Sequence, residues 1–250
     1  MITNHASGTN LHEIAPGIFR INTPVQVPGG PDFNFNQYLV KDDEPLVFHT
    51  GMSGLFPLVS EAIAKVLPVS SIRYVGFAHF EADECGALNQ FLAAAPHAVP
   101  VASQVGAIVS VNAYADRPAR ALGDGEVLSI GSKSLRWLDA PHVPHGWDNG
   151  YLMELSTRTL FAGDLFTQGG RGEVAVTESD ILGPSEEFRL AMDYFAHAPH
   201  TSSVLEKLAR EKPAVLACMH GSAWQGDGAG LLRGLARRLE IRAMALPLAA

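Results

Sequence analysis

The chain has 250 residues, of which 47% are hydrophobic, and its formal net charge is −8, with neither sign gathered into a long run. It can therefore bury one large core, and we expect no nucleic-acid partner. No apolar stretch approaches the ~20 residues of a membrane helix, the N-terminus lacks a signal-peptide pattern, and two cysteines are too few for a disulfide framework. We therefore expect a cytoplasmic protein with no membrane partner.

The first half of the chain begins with strand patterns and continues with strand–helix units. Short β-rich runs broken by turn residues predict an antiparallel sheet over Ile18–Thr50. A helical pattern follows around Leu55–Leu67, and Tyr74–Ala78 has the pattern of a buried strand. A polar segment then leads to a periodic helix over Ala87–Ala95.

The second half repeats this course after a helix near Val105–Ala113. Four strands are predicted at Glu126–Ile130, Ser134–Leu138, Gly150–Leu155 and Leu160–Leu165. Helices at Ser185–Ala198 and Ser202–Glu211, a strand at Ala214–Met219 and a helix from Gly228 to about Met244 complete the chain. Because each half runs from antiparallel strands to strand–helix units, we expect one α/β domain over residues 1–250, with two packed sheets and helices outside.

The segment 74–86 places four ionisable side chains at the end of an apolar strand: His79, Glu81, Asp83 and Glu84. Such crowding costs desolvation and repulsion unless a counter-charge is present. Alternatively, all four could face solvent or cap the next helix. Asp83 or Glu84 could serve as a cap, but His79 and Glu81 could not both do so. A bound cation removes the difficulty, so the segment favours a metal site.

Three further segments each bring a ligand-type residue to the end of an apolar strand. They contain His142 with His145, then Asp164, and finally His220. Ligands delivered at strand ends are common in α/β enzymes. The sequence therefore predicts a two-metal centre built from His79, Glu81, Asp83, His145, Asp164 and His220.

The order His-x-Glu-x-Asp, His, Gly-Asp, His-Gly resembles the metallo-β-lactamase superfamily over nearly the whole chain. This resemblance implies an αββα sandwich, in which two packed mixed sheets have helices outside. Hydrolases of the superfamily typically carry His-x-His-x-Asp-His, whereas this chain has Glu81 at the second histidine position. That substitution is similar to the flavodiiron proteins and the oxygen-binding di-iron proteins. Because the lactamase-like fold is expected to use all 250 residues, we expect no flavodoxin domain among them.

The resemblance also implies how the ligands divide between two irons. The first iron would be held by His79, Glu81, His145 and a bridging Asp164. The second would be held by Asp83, Asp164 and His220, with Glu84 standing where the family usually has histidine. Either Glu84 ligates as a carboxylate or the second metal keeps an open position, and we expect weak or absent ligation by Glu84.

Three residues near these ligands need a separate interpretation. Asp148 matches the His-x-x-Asp pattern of the di-iron group and is expected to orient His145. His142 is the rival ligand in the same loop, and the spacing to Asp148 favours His145. His49 precedes Thr-Gly, where many superfamily members have Asp, and we expect it beside the ligands, with a core histidine as the alternative.

The donor set points to iron independently of the resemblance. Three histidines with three or four carboxylates make a hard, oxygen-rich site, whereas zinc prefers more nitrogen or sulfur. We therefore predict two iron ions as the cofactor, with zinc or manganese as alternatives. Three carboxylates put about −3 of formal charge against about +4 from two ferrous ions, which leaves a centre that attracts anionic ligands.

Three functions are consistent with these patterns. The first is a non-haem di-iron oxidoreductase that binds or reduces dioxygen or nitric oxide and takes electrons from a separate reductase. The second is an oxygen sensor that reports to a signalling partner. The third is a metal-dependent hydrolase of a small-molecule thioester, lactam or phosphoester, and Glu81 argues against it. The resemblance further implies a homodimer.

Overall fold

The computed structural model describes residues 1–26 and 29–245, with side chains as far as residue 240. In this part of the chain, eight strands form a first sheet in chain order from one edge to the other. They are β1 (Ile2–Asn4), β2 (Thr9–Ala15), β3 (Ile18–Gln26), β4 (Asp32–Val40), β5 (Leu46–Phe48), β6 (Tyr74–Gly76), β7 (Val99–Ser103) and β8 (Arg120–Leu122). Strands β1 to β5 pair antiparallel, and β5 to β8 pair parallel.

A second sheet contains seven strands within the same described residues. They are β9 (Val127–Ser129), β10 (Ser134–Asp139), β11 (Gly150–Glu154), β12 (Thr159–Gly163), β13 (Val176–Thr177), β14 (Val215–Cys218) and β15 (Ala223–Gln225). Across the sheet they lie in the order β13-β15-β14-β12-β11-β10-β9. Strands β9 to β12 form antiparallel pairs, whereas β12 and β14 run parallel, so both sheets are mixed.

Helices cover the two sheets. They are α1 (Phe56–Ile63), α2 (Ala82–Cys85), α3 (Leu88–Ala94), α4 (Gln104–Gly106), α5 (Asn112–Tyr114), α6 (Leu182–Met192), α7 (Thr201–Arg210) and α8 (Gly228–Ala245), and a π-helical segment, Ala107–Val111, joins α4 to α5. Over the residues that are described, no helix combines the length and the apolar character needed to cross a membrane.

Apolar side chains fill three layers. Between the sheets, Phe48 of β5 and Phe161 of β12 belong to one buried cluster. The residues next to them along each strand point to the outer face of their sheet, because successive strand residues face opposite sides of a sheet. Val47 accordingly packs with α1 and α3, and Leu160 packs with α6, α7 and α8. The layers confirm the predicted α/β sandwich with helices outside.

Several elements differ from the sequence-based expectation, which did not include the short strands β1, β2, β8, β13 and β15. The helix predicted over Ser185–Ala198 ends at Met192, because Asp193 adopts a left-handed φ of 48° that cannot continue an α-helix. Strand β7 was not predicted. It contains Pro100, which is typical of edge strands, yet β7 pairs with strands on both sides.

The turn between β11 and β12 closes around the buried carboxylate of Glu154. Its two oxygens accept hydrogen bonds from the backbone N–H and the hydroxyl of both Ser156 and Thr157. Burial by itself raises the pKa of Glu154, but these hydrogen bonds outweigh it and lower the pKa. A lowered pKa contributes stability that is present above the pKa of the unfolded chain and is lost as the pH falls through the folded-state pKa.

We expect Glu154→Gln to lower the free energy of unfolding by about 1.5–3 kcal/mol near pH 7, because a charged acceptor is lost and only one carbonyl oxygen remains. The difference should narrow near pH 3, because the carboxylate of the unfolded chain is protonated there and part of the stability that the lowered folded-state pKa contributes is lost. Urea unfolding of the metal-free protein at both pH values measures it. Glu178→Gln, at an exposed position, is the matched control. An equal difference at the two pH values would contradict the prediction.

Candidate metal centre

The predicted metal ligands lie at one edge of the sandwich, where several strands end. His79 lies three residues after β6, Asp164 directly follows β12, and His220 lies two residues after β14. Glu81 occupies the turn after His79, and His145 lies in the loop between β10 and β11. Ligands from segments far apart in sequence therefore meet because the carboxyl ends of their strands meet.

Four side chains form the more compact half of the centre: His79, Glu81, His145 and Asp164. Each offers one ligand atom, and these atoms all lie within 4.8 Å of one another. Nε2 of His79 is 3.2 Å from Oε2 of Glu81, and Nε2 of His145 is 3.4 Å from Oε1 of Glu81. Two imidazole nitrogens thus share one carboxylate, and the donors surround a common point that suits a cation.

The second half of the centre shares Asp164 with the first. Nε2 of His220 is 3.3 Å from Oδ1 of Asp164 and 3.5 Å from Oδ2 of Asp83. The other oxygen of Asp164, Oδ2, is 3.4 Å from Nε2 of His145. Asp164 therefore turns one oxygen to each half, as a carboxylate that bridges two metals must.

All three histidines turn Nε2 to the centre and Nδ1 to an acceptor outside it. Nδ1 of His145 is 2.9 Å from the carbonyl oxygen of Tyr194, and Nδ1 of His220 is 2.8 Å from that of Asn34. Nδ1 of His79 is 3.4 Å from Oε1 of Glu84. Since a carbonyl oxygen can only accept, the neutral rings of His145 and His220 carry their proton on Nδ1 and leave Nε2 free to bind metal.

The charges of the metal-free centre perturb one another. His145 and His79 together lower the pKa of Glu81. Burial by itself lowers the pKa of His220, but the carboxylates of Asp164 and Asp83 outweigh burial and raise the pKa to about 10. Protons on the imidazoles thus partly balance the carboxylates, and a metal ion must displace those protons in order to bind.

Two atoms at the middle of the centre test whether the site suits a metal. Nε2 of His79 and Oδ1 of Asp164 are buried, and neither forms a hydrogen bond of good geometry with any described residue. Buried polar atoms without such a bond are costly and rare. Ligation would satisfy both atoms, so the side chains in place fit a bound cation.

His142 and Asp148 lie outside the cluster. The ring of His142 faces that of His200, with 6.2 Å between the centroids, whereas His145 reaches the centre. Oδ2 of Asp148 accepts a hydrogen bond from the backbone N–H of Phe80 at 2.9 Å, so it supports the turn after His79. Nδ1 of His145 faces the carbonyl of Tyr194 and not Asp148, so the expected orienting role of Asp148 stays a prediction.

Glu84 and His49 lie beside the cluster, on the outer side of His79. Both side chains are fully buried, and Nε2 of His49 is 3.4 Å from Oε1 of Glu84. Burial lowers the pKa of His49, although the Glu84 carboxylate partly opposes the shift. His49 therefore lies next to Glu84, one residue removed from the candidate ligands.

Sequence reasoning did not identify Tyr194 or the aromatic residues around His220. Besides anchoring His145, Tyr194 donates a hydrogen bond from its hydroxyl to the carbonyl oxygen of Asp164 at 3.1 Å. The ring centroid of Phe33 lies 4.4 Å from that of His220, and Phe188 stacks on Phe33 from the other side. None of these residues has a motif of its own, because each acts from a different element through packing or through its backbone carbonyl.

The fold and the centre together define a metallo-β-lactamase-type domain with a mixed histidine–carboxylate cluster. The family described as "ODP family beta lactamase" matches residues 33–221, which is well over half of the chain. The chain belongs to this family, and the resemblance to the flavodiiron branch of the superfamily is confirmed.

Two curated relatives are long proteins that the chain matches only in part. It is 27% identical to rubredoxin-oxygen oxidoreductase of Megalodesulfovibrio gigas, over 77% of this chain and 49% of that protein. It is 24% identical to the anaerobic nitric oxide reductase flavorubredoxin of Pectobacterium atrosepticum, over 80% of this chain and 40% of that protein. The chain thus spans less than half the length of these relatives.

Solved structures share the fold at low sequence identity. Rubredoxin oxygen:oxidoreductase from Desulfovibrio gigas superposes with a TM-score of 0.80 at 21% identity, over 92% of this chain and 62% of that one. A fragment of diflavin flavoprotein A 5 from Nostoc sp. PCC 7120 superposes with a TM-score of 0.83 at 16% identity, over 95% of this chain and 97% of the fragment. The second comparison shows that a chain of this extent can adopt the whole fold.

Proposed function

We propose that this protein is a non-haem di-iron protein that binds or reduces dioxygen or nitric oxide. The observation that carries the proposal is the position of Glu81, whose two oxygens face the Nε2 atoms of His79 and His145. Two imidazoles with two carboxylates make a mixed nitrogen–oxygen donor set, of the kind that non-haem iron sites use. The relatives named as oxygen and nitric oxide reductases support the same class.

The side chains of the centre divide the task of holding two ions. The compact half would hold one iron, and Asp83, Asp164 and His220 would hold the other. Two ferrous ions would supply two electrons and open positions for a diatomic oxidant, and the separate reductase would supply the further electrons that reduction of dioxygen to water takes. Asp164 links the halves, and the carbonyls of Tyr194 and Asn34 keep two imidazoles aimed at the centre.

The exposure of the ligands indicates where a small molecule can enter. The side chains of His79 and His220 are 2% and 6% exposed, whereas that of Glu81 is 49% exposed. The centre is therefore open on the Glu81 side and closed behind the two histidines, where Phe33 covers His220. Dioxygen or nitric oxide would approach from the Glu81 side, and a separate reductase would deliver electrons to the same face.

Metal analysis and oxygen consumption test this function. Protein grown in iron-rich medium should retain about two iron ions per chain, as a two-metal centre requires. Tightly held zinc with no iron after such growth would contradict the proposal. With iron present, oxygen consumption with an artificial electron donor indicates a reductase, and a stable oxygenated spectrum without turnover indicates a sensor. Thioester or lactam hydrolysis by the zinc form, lost in Asp83→Ala, would indicate a hydrolase instead.

A further inference from the structure

Glu84 is a buried carboxylate whose neighbours are two imidazoles. Its Oε1 lies 3.4 Å from Nδ1 of His79 and 3.4 Å from Nε2 of His49, and its Oε2 accepts a hydrogen bond from the backbone N–H of His79 at 2.7 Å. The Glu84 side chain is 0% exposed. Burying a carboxylate so completely is costly unless the carboxylate is paired with an opposite charge or accepts hydrogen bonds. Glu84 therefore holds the His79 backbone by a hydrogen bond and places a carboxylate oxygen beside Nδ1 of the His79 ring, a contact of 3.4 Å that is close but does not have good hydrogen-bond geometry.

The direction of these contacts separates Glu84 from the second half of the centre. His79 faces the centre with Nε2, which is 3.8 Å from Oδ2 of Asp164, and it faces Glu84 with Nδ1. Oε1 of Glu84 thus lies on the outer side of the His79 ring, and Oε2 bonds to the His79 backbone. The carboxylate of Asp83, the preceding residue, points instead to His220. Adjacent acids of one short helix consequently serve different histidines.

His49 holds Glu84 from the far side. Its backbone has a φ of 63°, a left-handed value that is uncommon for a residue with a side chain and persists only where the surroundings enforce it. Here the backbone N–H of His49 donates to the carbonyl of Gly76, and that of Thr50 donates to the carbonyl of Glu84. The end of β5 is thereby tied to α2, and the His49 imidazole is directed at the Glu84 carboxylate.

The two departures from the family pattern contact each other. His49 stands where many superfamily members have an acid, and Glu84 stands where the family usually has a histidine. In this chain the two side chains lie 3.4 Å apart. This buried pair contains one acid, Glu84, and one imidazole, His49, and the acid also contacts His79.

We propose that Glu84, supported by His49, is a positioning residue for His79 and not a metal ligand, so that the second metal position binds its ion more weakly than the first. This inference rests on the proposed two-metal function. The first position has three side chains of its own, whereas the second has two, Asp83 and His220. Asp164 is shared by both positions. Metal uptake is therefore stepwise, with the compact half filled first.

Anaerobic calorimetric titration of the metal-free protein with Fe²⁺ tests the inference without measuring activity. The wild type should bind in two steps, the first at least about 10-fold tighter. Glu84→Gln should weaken the first step by about 10- to 100-fold, the cost of losing a partner that orients a ligand, and should change the second by less than about threefold. If Glu84 were a ligand of the second ion, Gln would weaken the second step and spare the first, which would overturn the proposal.

His49→Gln is a second variant that leaves the Glu84 carboxylate in place, so it tests the proposal even if Glu84→Gln fails to fold. It should weaken the first step by less than about 10-fold and spare the second, because His49 acts through Glu84, and an unchanged first step would overturn the support assigned to His49. Where Glu84→Gln folds, the two changes can also be combined. The double variant should resemble Glu84→Gln alone, whereas additive losses would show that His49 acts independently and would overturn the coupling. Glu126→Gln, far from the centre in sequence and in a turn, is the control. A wild type that binds no iron in either step would instead contradict the proposed function itself.

Discussion

Replacing Asp164 with alanine is expected to remove both ions from the centre. Its Oδ1 faces His220 at 3.3 Å and its Oδ2 faces His145 at 3.4 Å, so a single side chain serves both halves. Loss of a partner that merely orients a ligand costs about 10- to 100-fold in metal affinity, and loss of a shared ligand should therefore cost more than about 100-fold at both positions. Metal content after dialysis measures the effect, and oxygen consumption should disappear with the ions.

The fold should tolerate this change, because the hydrogen bonds to Asp164 from Tyr194 and from the Thr167 hydroxyl are accepted by the backbone carbonyl, which alanine retains. Asp43→Ala, at an exposed position in a turn, is the matched control and should keep both ions. Retention of one tightly bound ion by Asp164→Ala would show that Asp164 belongs to one half only, which would contradict its assignment as the bridge.

Replacing Glu81 with histidine should change the metal that the protein selects. The substitution exchanges a carboxylate for a neutral imidazole between His79 and His145, which makes the compact half rich in nitrogen and raises its formal charge by one. Zinc prefers such donors, whereas non-haem iron accepts the mixed set of the wild type. After growth with both metals supplied, we expect iron to dominate in the wild type and zinc in Glu81→His, with oxygen consumption lost.

The position of Glu81 favours a clear result. Its side chain is 49% exposed, so a ring can replace it without disturbing the core. Glu81→Gln serves as the control, because it removes the charge but adds no nitrogen ligand. It should weaken iron binding at the compact half without favouring zinc. If Glu81→His retains iron in the wild-type proportion, the preference for iron does not depend on Glu81, and the main argument for oxygen chemistry fails.

Local patterns were sufficient to predict most of the ligands. His79, Glu81 and Asp83 lie within five residues at the end of an apolar strand, and Asp164 and His220 follow buried strands closely. The α/β sandwich was equally predictable, because strand and helix periodicities are properties of short segments. Strand β7 escaped prediction because its pairing on both sides depends on the neighbouring strands and outweighs the unfavourable proline.

The direction of each side chain depended on distant partners. His142 and His145 are of the same residue type in one loop, and only the packing of that loop against Tyr194 brings the second of them to the centre. Asp148 has the expected spacing from His145, yet it bonds to Phe80. Sequence spacing shows which residues are close along the chain, but it does not determine the direction in which each side chain points in an irregular loop.

The sequence by itself determined the fold class and the histidines and carboxylates of the candidate centre, including the carboxylate at position 81, because these follow from residue types and short-range periodicity. Only the tertiary structure decided that His145 and not His142 joins the cluster, that carbonyl groups from other elements set the orientation of His145 and His220, and that Glu84 faces His79. The physical reason is that ligand identity is a local property of the chain, whereas ligand orientation is set by hydrogen bonds between segments that meet only after the two sheets have packed.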